Sequence, residues 1–405
     1  MTAAISAPPA LPRATILWLV AGLSMFQPLS TDLYLPTLPG IAGAFDASAA
    51  DVQWTLSLFI AAFGAWQLVA GPLSDRYGRR LLIIGGAAVY LGASVLCMLA
   101  PSIAVLSAAR VGQAIGACTC LVGARGMVRD LYAPVPGAHL LASAATLMSL
   151  APLVGPLVGA ALYAVFGWRS AFAAMAAFAA VMLLFTLLQL RETRRGPAHS
   201  IHWRPMLARY ATIARSPAFR AYTAAAATTY AGLFAYISGS SFVLMRVLGL
   251  TPTQFAFAFS SMVAGYMTGT LICRRLVRRG LQRTIQIGAT LQLAAGLALA
   301  IAALAGWHAP AAIIAPMVAY GISHGIVQPP AQSGAVAPFP HAAGAAAALL
   351  GFLMMACAAA VGLWIGVSFD GSVYPLTLTI AATATLSWLV AFTWVRRDGD
   401  VSHHD

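Results

Sequence analysis

The sequence contains no lysine and little charge of any kind. Charged residues occupy 8% of the 405 positions, and all 23 basic residues are arginine. Hydrophobic residues make up 60% of the chain, and the mean hydropathy is +0.84. Because roughly a quarter of the residues in a soluble globular domain are charged, this composition excludes such a domain.

Cysteine is also scarce, with five residues scattered along the chain. Cys118 and Cys120 are two positions apart and do not share a helical face. The sequence therefore indicates neither a metal site nor a disulfide framework.

Apolar segments of about 20 residues, each long enough to cross about 30 Å of hydrocarbon as a helix, recur along the whole chain. The predicted fold class is an all-α membrane protein. We expect the first segment to be a retained helix, because it continues without a small-residue cleavage site. The twelve predicted spans are residues 14–36, 52–73, 81–100, 103–127, 138–165, 168–190, 218–246, 253–276, 283–306, 309–335, 341–369 and 372–395.

The arginines test this count, since basic residues should fall on alternate, cytoplasmic loops. The loops and termini assigned to the cytoplasm carry Arg13, Arg76, Arg79, Arg80, Arg125, Arg129, the groups within 191–220 and 274–283, Arg396 and Arg397. Only Arg110, Arg169 and Arg246 fall elsewhere. An even number of spans with both termini in the cytoplasm is therefore predicted, and the net charge of +13 reflects topology, not nucleic-acid binding.

One long polar stretch, residues 191–217, divides the chain into two sets of six spans. We predict an N-terminal bundle of residues 1–190, a cytoplasmic linker of residues 191–217 and a C-terminal bundle of residues 218–405. Residues 269–275 follow the eighth span as residues 71–77 follow the second, which favours a duplicated plan with a central cavity.

Several motifs together resemble the major facilitator superfamily over essentially the whole chain. Residues 71–80, GPLSDRYGRR, match its G-x-L-[ST]-D-R-x-G-R-[KR] loop signature. Residues 110–117 match its fourth-helix R-x-x-Q-G-x-G-A pattern imperfectly, and residues 190–193 resemble the ending of its sixth helix. The resemblance implies two six-helix bundles and transport by alternating access.

The fifth span indicates which class of transporters within the superfamily the chain resembles. Residues 151–160, APLVGPLVGA, resemble the G-P-x-x-G antiporter motif of proton-driven drug exporters, and residues 30–39 and 129–132 resemble the bicyclomycin and chloramphenicol resistance subfamily. This implies a monomer of the bacterial inner membrane, driven by the proton motive force without a cofactor. Its implied partners are protons, membrane lipid and a small amphipathic or polar drug-like substrate. The antiporter-motif residues are Pro152, Gly155, Pro156 and Gly159, which also predict a bent, closely packed helix.

The loop of residues 71–80 is a candidate conformational latch. A carboxylate at Asp75 suits the N-terminus of the eleventh span, and the resemblance implies both this contact and a pair between Arg79 and Asp130 that favours the outward-facing state. Gly71 and Gly78 permit a tight turn, and Arg76 anchors the helix end. The alternative is a static topology anchor.

Asp32 is the carboxylate that lies within a span, and intramembrane acids usually have a function. In a low-dielectric cavity the charged form is disfavoured, so a proton and a substrate could compete for this group. We predict that Asp32 couples transport to protons. The alternative is that Asp32 lies in water at the mouth of the cavity or pairs with an arginine.

The family pattern places Arg110 and Gln113 on the cavity face of the fourth helix, where Arg110 either acts on Asp32 or substrate, or forms a structural pair. Other cavity candidates are aromatic, polar or Met residues, whose alternative role is packing or lipid contact. They are Met25, Phe26, Gln27, Trp54, Phe59, Trp66, Tyr230, Phe234, Tyr236, Tyr266, Tyr320, His324, Gln328 and Met355.

The resemblance implies that the chain exports drug-like molecules in exchange for protons. Three other functions are alternatives to this prediction. Residues 321–325, GISHG, satisfy the G-x-S-x-G pattern of serine hydrolases, but adjacent Ser and His on a helix do not face each other, so no enzyme is predicted. A nutrient uptake symporter of the same fold would use Asp32 in the same way with the opposite direction of transport. A transporter-like sensor would bind without turnover.

Overall fold

The computed structural model describes residues 12–193 and 203–398, and these ranges are almost entirely helical with no strand. Three short 3-10 turns and one π-helical turn, Phe242–Val247, join or extend the helices. The α-helices are α1 Arg13–Asp32, α2 Leu38–Ala44, α3 Ala49–Tyr77, α4 Arg79–Met98, α5 Ile103–Leu131, α6 Pro134–Met148, α7 Leu150–Phe166, α8 Arg169–Gln189, α9 Trp203–Arg215, α10 Pro217–Ser241, α11 Pro252–Leu276, α12 Leu281–Leu304, α13 Pro310–Val336, α14 Ala343–Ser368 and α15 Tyr374–Asp398.

The all-α membrane fold with twelve spans is confirmed. In the described part of the chain, eleven segments are long and apolar enough to cross a bilayer, with α6 and α7 forming one of them. The twelfth span is α10, which is rich in alanine, threonine and serine. Most of its residues are buried against α13, α14 and α15, so protein and not lipid surrounds it.

Some boundaries differ from the predicted ones. Helix α5 continues to Leu131, so Arg129 and Asp130 lie in its last turn and not in a loop. The predicted linker of residues 191–217 contains the helix α9, but residues 194–202 lie outside the described residues, as do residues 1–11 and 399–405.

The helices form two bundles, α1–α8 and α10–α15, which meet mainly where α3 packs on α14 and α7 packs on α11. Small residues let these helices approach closely. A side chain at Gly64 would meet Met355, and one at Gly362 would meet Ser57. The seam between the bundles therefore depends on glycine on both sides.

Hydrogen bonds connect helix α9 to the first bundle at one end of the molecule and the two bundles to each other at the other end. The arginine-rich end consists of the helix ends near residues 76–80, 125–130 and 274–283. There the Tyr210 hydroxyl of α9 donates to the Leu68 carbonyl oxygen at 3.2 Å. At the other end, Arg246 Nη2 donates to the Pro39 carbonyl oxygen at 3.0 Å, so both bundles are tied together beyond their spans.

Candidate functional site

Asp32 is the last residue of α1 because of a proline four positions later. Pro36 has no N–H with which to bond the Asp32 carbonyl, so one hydrogen bond of a regular α-helix is missing at the point where α1 ends. The chain instead forms a 3-10 turn, Leu35–Thr37, before α2 begins. The carboxyl group is thus placed at an interruption of the membrane-embedded helix.

The Asp32 side chain is enclosed, with 4% of its surface exposed. The Thr31 hydroxyl donates to its Oδ1 at 3.1 Å, and in the described part of the chain it forms no salt bridge. Asp32 therefore neither lies in open water nor pairs with an arginine, and a carboxylate so enclosed requires a proton or a bound partner.

The antiporter-motif glycines form the surface on which Asp32 rests. A Cβ at Gly155 would lie 3.1 Å from Asp32 Cβ, and one at Gly159 would overlap the Leu33 carbonyl oxygen. Pro152 cannot donate to the Met148 carbonyl, which explains why the span is interrupted between α6 and α7. The predicted close packing is present, and the span is divided into α6 and α7 at Ser149.

Arg110 lies inside the first bundle. Its guanidinium carbon is 4.7 Å from the Tyr34 ring centroid and 4.3 Å from that of Phe59, and its Nη1 donates to Gln113 Oε1 at 2.8 Å. Its Nε and Nη2 are buried and have no hydrogen-bond partner among residues 12–193 and 203–398. Gln113 in turn donates to Ser94 Oγ at 2.7 Å, so the pair belongs to a buried polar network of α4 and α5.

Four of the predicted cavity residues come together in the second bundle. The His324 ring centroid is 6.1 Å from that of Tyr230 and 5.6 Å from that of Tyr266. Gln328 lies one turn further along α13, and its amide donates to the Ala226 carbonyl at 3.3 Å. Tyr230 and Tyr266 are partly exposed, while His324 and Gln328 are buried.

The other cavity candidates are spread over different surroundings. Met25, Gln27 and Trp66 are partly exposed, Met355 and Phe234 pack at the seam, and Trp54 is exposed near the start of α3. Phe26 packs on Tyr90 and Phe178 inside the first bundle, and Tyr236 stacks on Phe259 inside the second. Tyr320 belongs to a buried network with Gln292 and Thr229. Their roles in binding substrate stay predictions.

At the arginine-rich end, Arg79 is the centre of the latch residues. Its Nε donates to Asp130 Oδ2 at 2.8 Å, and its Nη2 donates to Asp75 Oδ1 at 2.6 Å. Arg129 Nη2 also lies 3.3 Å from Asp75 Oδ1, and its Nη1 is 3.8 Å from where a Cβ on Gly344 of α14 would be. The cluster thus ties α3, α4 and α5 together beside the start of α14.

Glu192 also belongs to the cluster around Arg79, and the sequence did not predict this contact. Its carboxylate accepts hydrogen bonds from the main-chain N–H groups of Arg79 and Arg80 at 2.9 and 3.2 Å, and so caps the N-terminus of α4. Gly78, at φ +93°, leaves the space that the carboxylate occupies. Residues 190–193 resemble the end of the family's sixth helix. Their sequence does not indicate that the Glu192 side chain contacts α4.

Replacing Asp130 with asparagine should destabilise the protein by about 1.5–3 kcal/mol, because the 4%-exposed Arg79 loses a charge-assisted hydrogen bond. The measurement is thermal unfolding of the purified protein. Asp46→Asn is the matched control, because Asp46 is exposed and has φ +48°, which asparagine tolerates. Equal unfolding temperatures for Asp130→Asn and wild type would show that the cluster adds nothing to stability.

The G-x-S-x-G residues have a structural explanation. Gly321 and Gly325 on α13, with Gly265 and Gly269 on α11, bring the main chains of the two helices into direct contact. The Ser323 hydroxyl donates to the Tyr320 carbonyl at 2.6 Å, as serines in helices commonly do. The motif therefore reflects helix packing.

Comparison with known proteins agrees with this architecture. The Major Facilitator Superfamily model matches residues 20–363. The chain is 30% identical over 343 residues to a chloramphenicol resistance protein of Pseudomonas aeruginosa, covering 83% of this chain and 80% of that protein. It is 28% identical over 385 residues to the multidrug resistance protein MdtL of Escherichia fergusonii, covering 95% and 96% of the two chains. Among solved structures, a POT family transporter in complex with 5-aminolevulinic acid has a TM-score of 0.78 at 13% identity, with 98% of each chain covered.

Proposed function

Because the chain belongs to the Major Facilitator Superfamily, whose members are transporters and not enzymes, we propose that it exports small drug-like molecules in exchange for protons. The observation that carries the proposal is the enclosed Asp32, which packs against Gly155 of the antiporter motif. The similarity to drug resistance proteins supports export as the direction of transport.

The proposed cycle uses Asp32 as a site that a proton and a substrate occupy in turn. With the site open to the outside, Asp32 takes up a proton. With the site open to the cytoplasm, a substrate that places a positive or hydrogen-bond-donating group at the carboxylate favours loss of that proton. Each proton that enters across 100 mV supplies about 2.3 kcal/mol for moving substrate outward.

The proposal includes an orientation in the bacterial inner membrane. The arginine-rich end faces the cytoplasm, as the positive-inside rule requires, and both termini and residues 191–217 lie on that side. The chain works as a monomer with the two bundles, 1–190 and 218–405, rocking about Asp32. The residues around Arg79 stabilise one orientation of this movement.

The test is a drug-susceptibility panel in a bacterial strain that lacks its own efflux pumps. Expression of the protein should raise the inhibitory concentration of at least one compound, and intact cells should accumulate less of it until a protonophore collapses the gradient. Gradient-driven accumulation inside the cells would instead show an uptake symporter. Binding of a compound by purified protein without any transport would show a sensor.

A further inference from the structure

Helix α13 presents two hydrogen-bond acceptors that have no partner. The Nδ1 of His324 is buried with no partner in the described part of the chain. The Gln328 amide nitrogen donates to the Ala226 carbonyl on α10, and its Oε1 is likewise buried without a partner. Each side chain is 4% exposed.

The chemistry of the two side chains determines whether each of these atoms donates or accepts a hydrogen bond. A neutral imidazole carries its proton on one nitrogen and a lone pair on the other, so with the proton on Nε2 the Nδ1 of His324 accepts a hydrogen bond. The oxygen of the Gln328 amide is an acceptor in any case. Because the residues are four positions apart, the two side chains leave α13 on one face, with their Cβ atoms roughly 5–6 Å apart.

Two tyrosine rings, each with a polar hydroxyl, lie beside one of these two side chains. The rings of Tyr230 and Tyr266 flank His324, and both are partly exposed although they lie in the middle of their helices. Buried acceptors without partners are costly, so a ligand that brings donors gains by satisfying them.

The geometry points to a subsite, formed by His324 and Gln328, that selects substrates carrying two hydrogen-bond donors about one helical turn apart on an apolar or aromatic frame. Alcohols, amide N–H groups and protonated amines meet this description, whereas compounds rich in acceptors or negative charge leave the pair unsatisfied. The inference rests on the proposed function, since it assigns a substrate class to the same transport path.

Two phenicols that differ in a single group provide the test. Thiamphenicol has a hydroxyl where florfenicol has a fluorine, which cannot donate a hydrogen bond. Binding is measured by titration calorimetry on the purified protein in lipid nanodiscs, with no gradient applied. Wild-type protein should bind thiamphenicol about tenfold more tightly than florfenicol, as expected for one additional satisfied acceptor.

Variants then locate the acceptor. Gln328→Met and His324→Met each remove one acceptor at similar length, and at least one should lower the preference for thiamphenicol to near unity. Gln332→Met, an exposed glutamine one turn further along α13, is the matched control and should keep the preference. Only variants that elute as a single species by size exclusion are compared.

Equal affinity of wild type for the two compounds, or binding of neither, overturns the inference. So does a preference that persists in both acceptor variants. Because the titration involves neither a gradient nor a direction, its outcome is independent of the efflux test. A preference without export contradicts the proposed function alone, and export without a preference contradicts the subsite alone.

Discussion

Asp32→Asn should abolish gradient-driven export while the substrate still binds. Asparagine has nearly the shape of aspartic acid and can accept the hydrogen bond from Thr31, which lies 3.1 Å from the carboxylate, but it cannot exchange a proton. At 100 mV one coupled proton is worth about 2.3 kcal/mol, which sustains a substrate gradient of roughly fiftyfold. That gradient should fall to unity in the variant.

The measurement compares substrate uptake into energised everted vesicles with downhill substrate exchange. Exchange should persist in Asp32→Asn, because it needs the binding site and the movement of the bundles but no net proton. Asp46→Asn, which changes an exposed aspartate outside the spans, should behave as wild type in both assays. Unaltered gradient-driven uptake in Asp32→Asn would exclude this residue as the coupling site.

Gly159→Ala should be the most damaging of three glycine-to-alanine changes in membrane-embedded helices. A methyl group at Gly159 would overlap the main-chain carbonyl of Leu33, which has no rotamer by which to move away. The segment that carries Asp32 must therefore shift, and overpacking of this kind costs about 1–3 kcal/mol. We expect at least a tenfold loss of export, because the carboxyl group is displaced with the main chain.

Two other glycines serve as comparisons for the loss of export expected in Gly159→Ala. A Cβ at Gly155 would meet Asp32 Cβ at 3.1 Å, so Gly155→Ala should be intermediate, whereas Gly85 in α4 has no atom within 4 Å of the added carbon. Gly85→Ala should leave export unchanged and stabilise its helix by up to about 1 kcal/mol. Thermal unfolding and vesicle transport are measured for all three. Equal effects at the three positions would show that close packing against Asp32 has no role.

The boundaries of the helices show how far sequence reasoning carries in a membrane protein. The apolar runs and the arginine pattern were sufficient to predict the twelve spans, because lipid leaves few alternatives to a helix of about 20 apolar residues. Of the twelve spans, α10 is the one that the apolar composition of its sequence supports least. It is confirmed only by its burial between α13, α14 and α15.

The positions of prolines and glycines in the sequence predicted part of the geometry of the candidate site. Pro36 and Pro152 set where α1 and the fifth span are interrupted, since each removes a main-chain donor that a continuous helix needs. The predicted pair of Arg79 and Asp130 is present, and the cap that Glu192 provides for α4 was not foreseen. A capping contact between residues more than a hundred positions apart leaves no periodic signal in the chain.

The sequence by itself determined the solvent, the number of spans, their alternation across the membrane and the presence of an acid inside one of them. Each of these follows from composition, proline position or charge placement along a single helix. Only the tertiary structure decided which faces meet: Asp32 packs against Gly155, Arg110 is enclosed between two rings, and His324 Nδ1 and Gln328 Oε1 are buried without a partner among the described residues. The physical reason is that hydrophobic periodicity is weak when lipid and protein interior are equally apolar, so the rotation of each helix is set by packing with its neighbours.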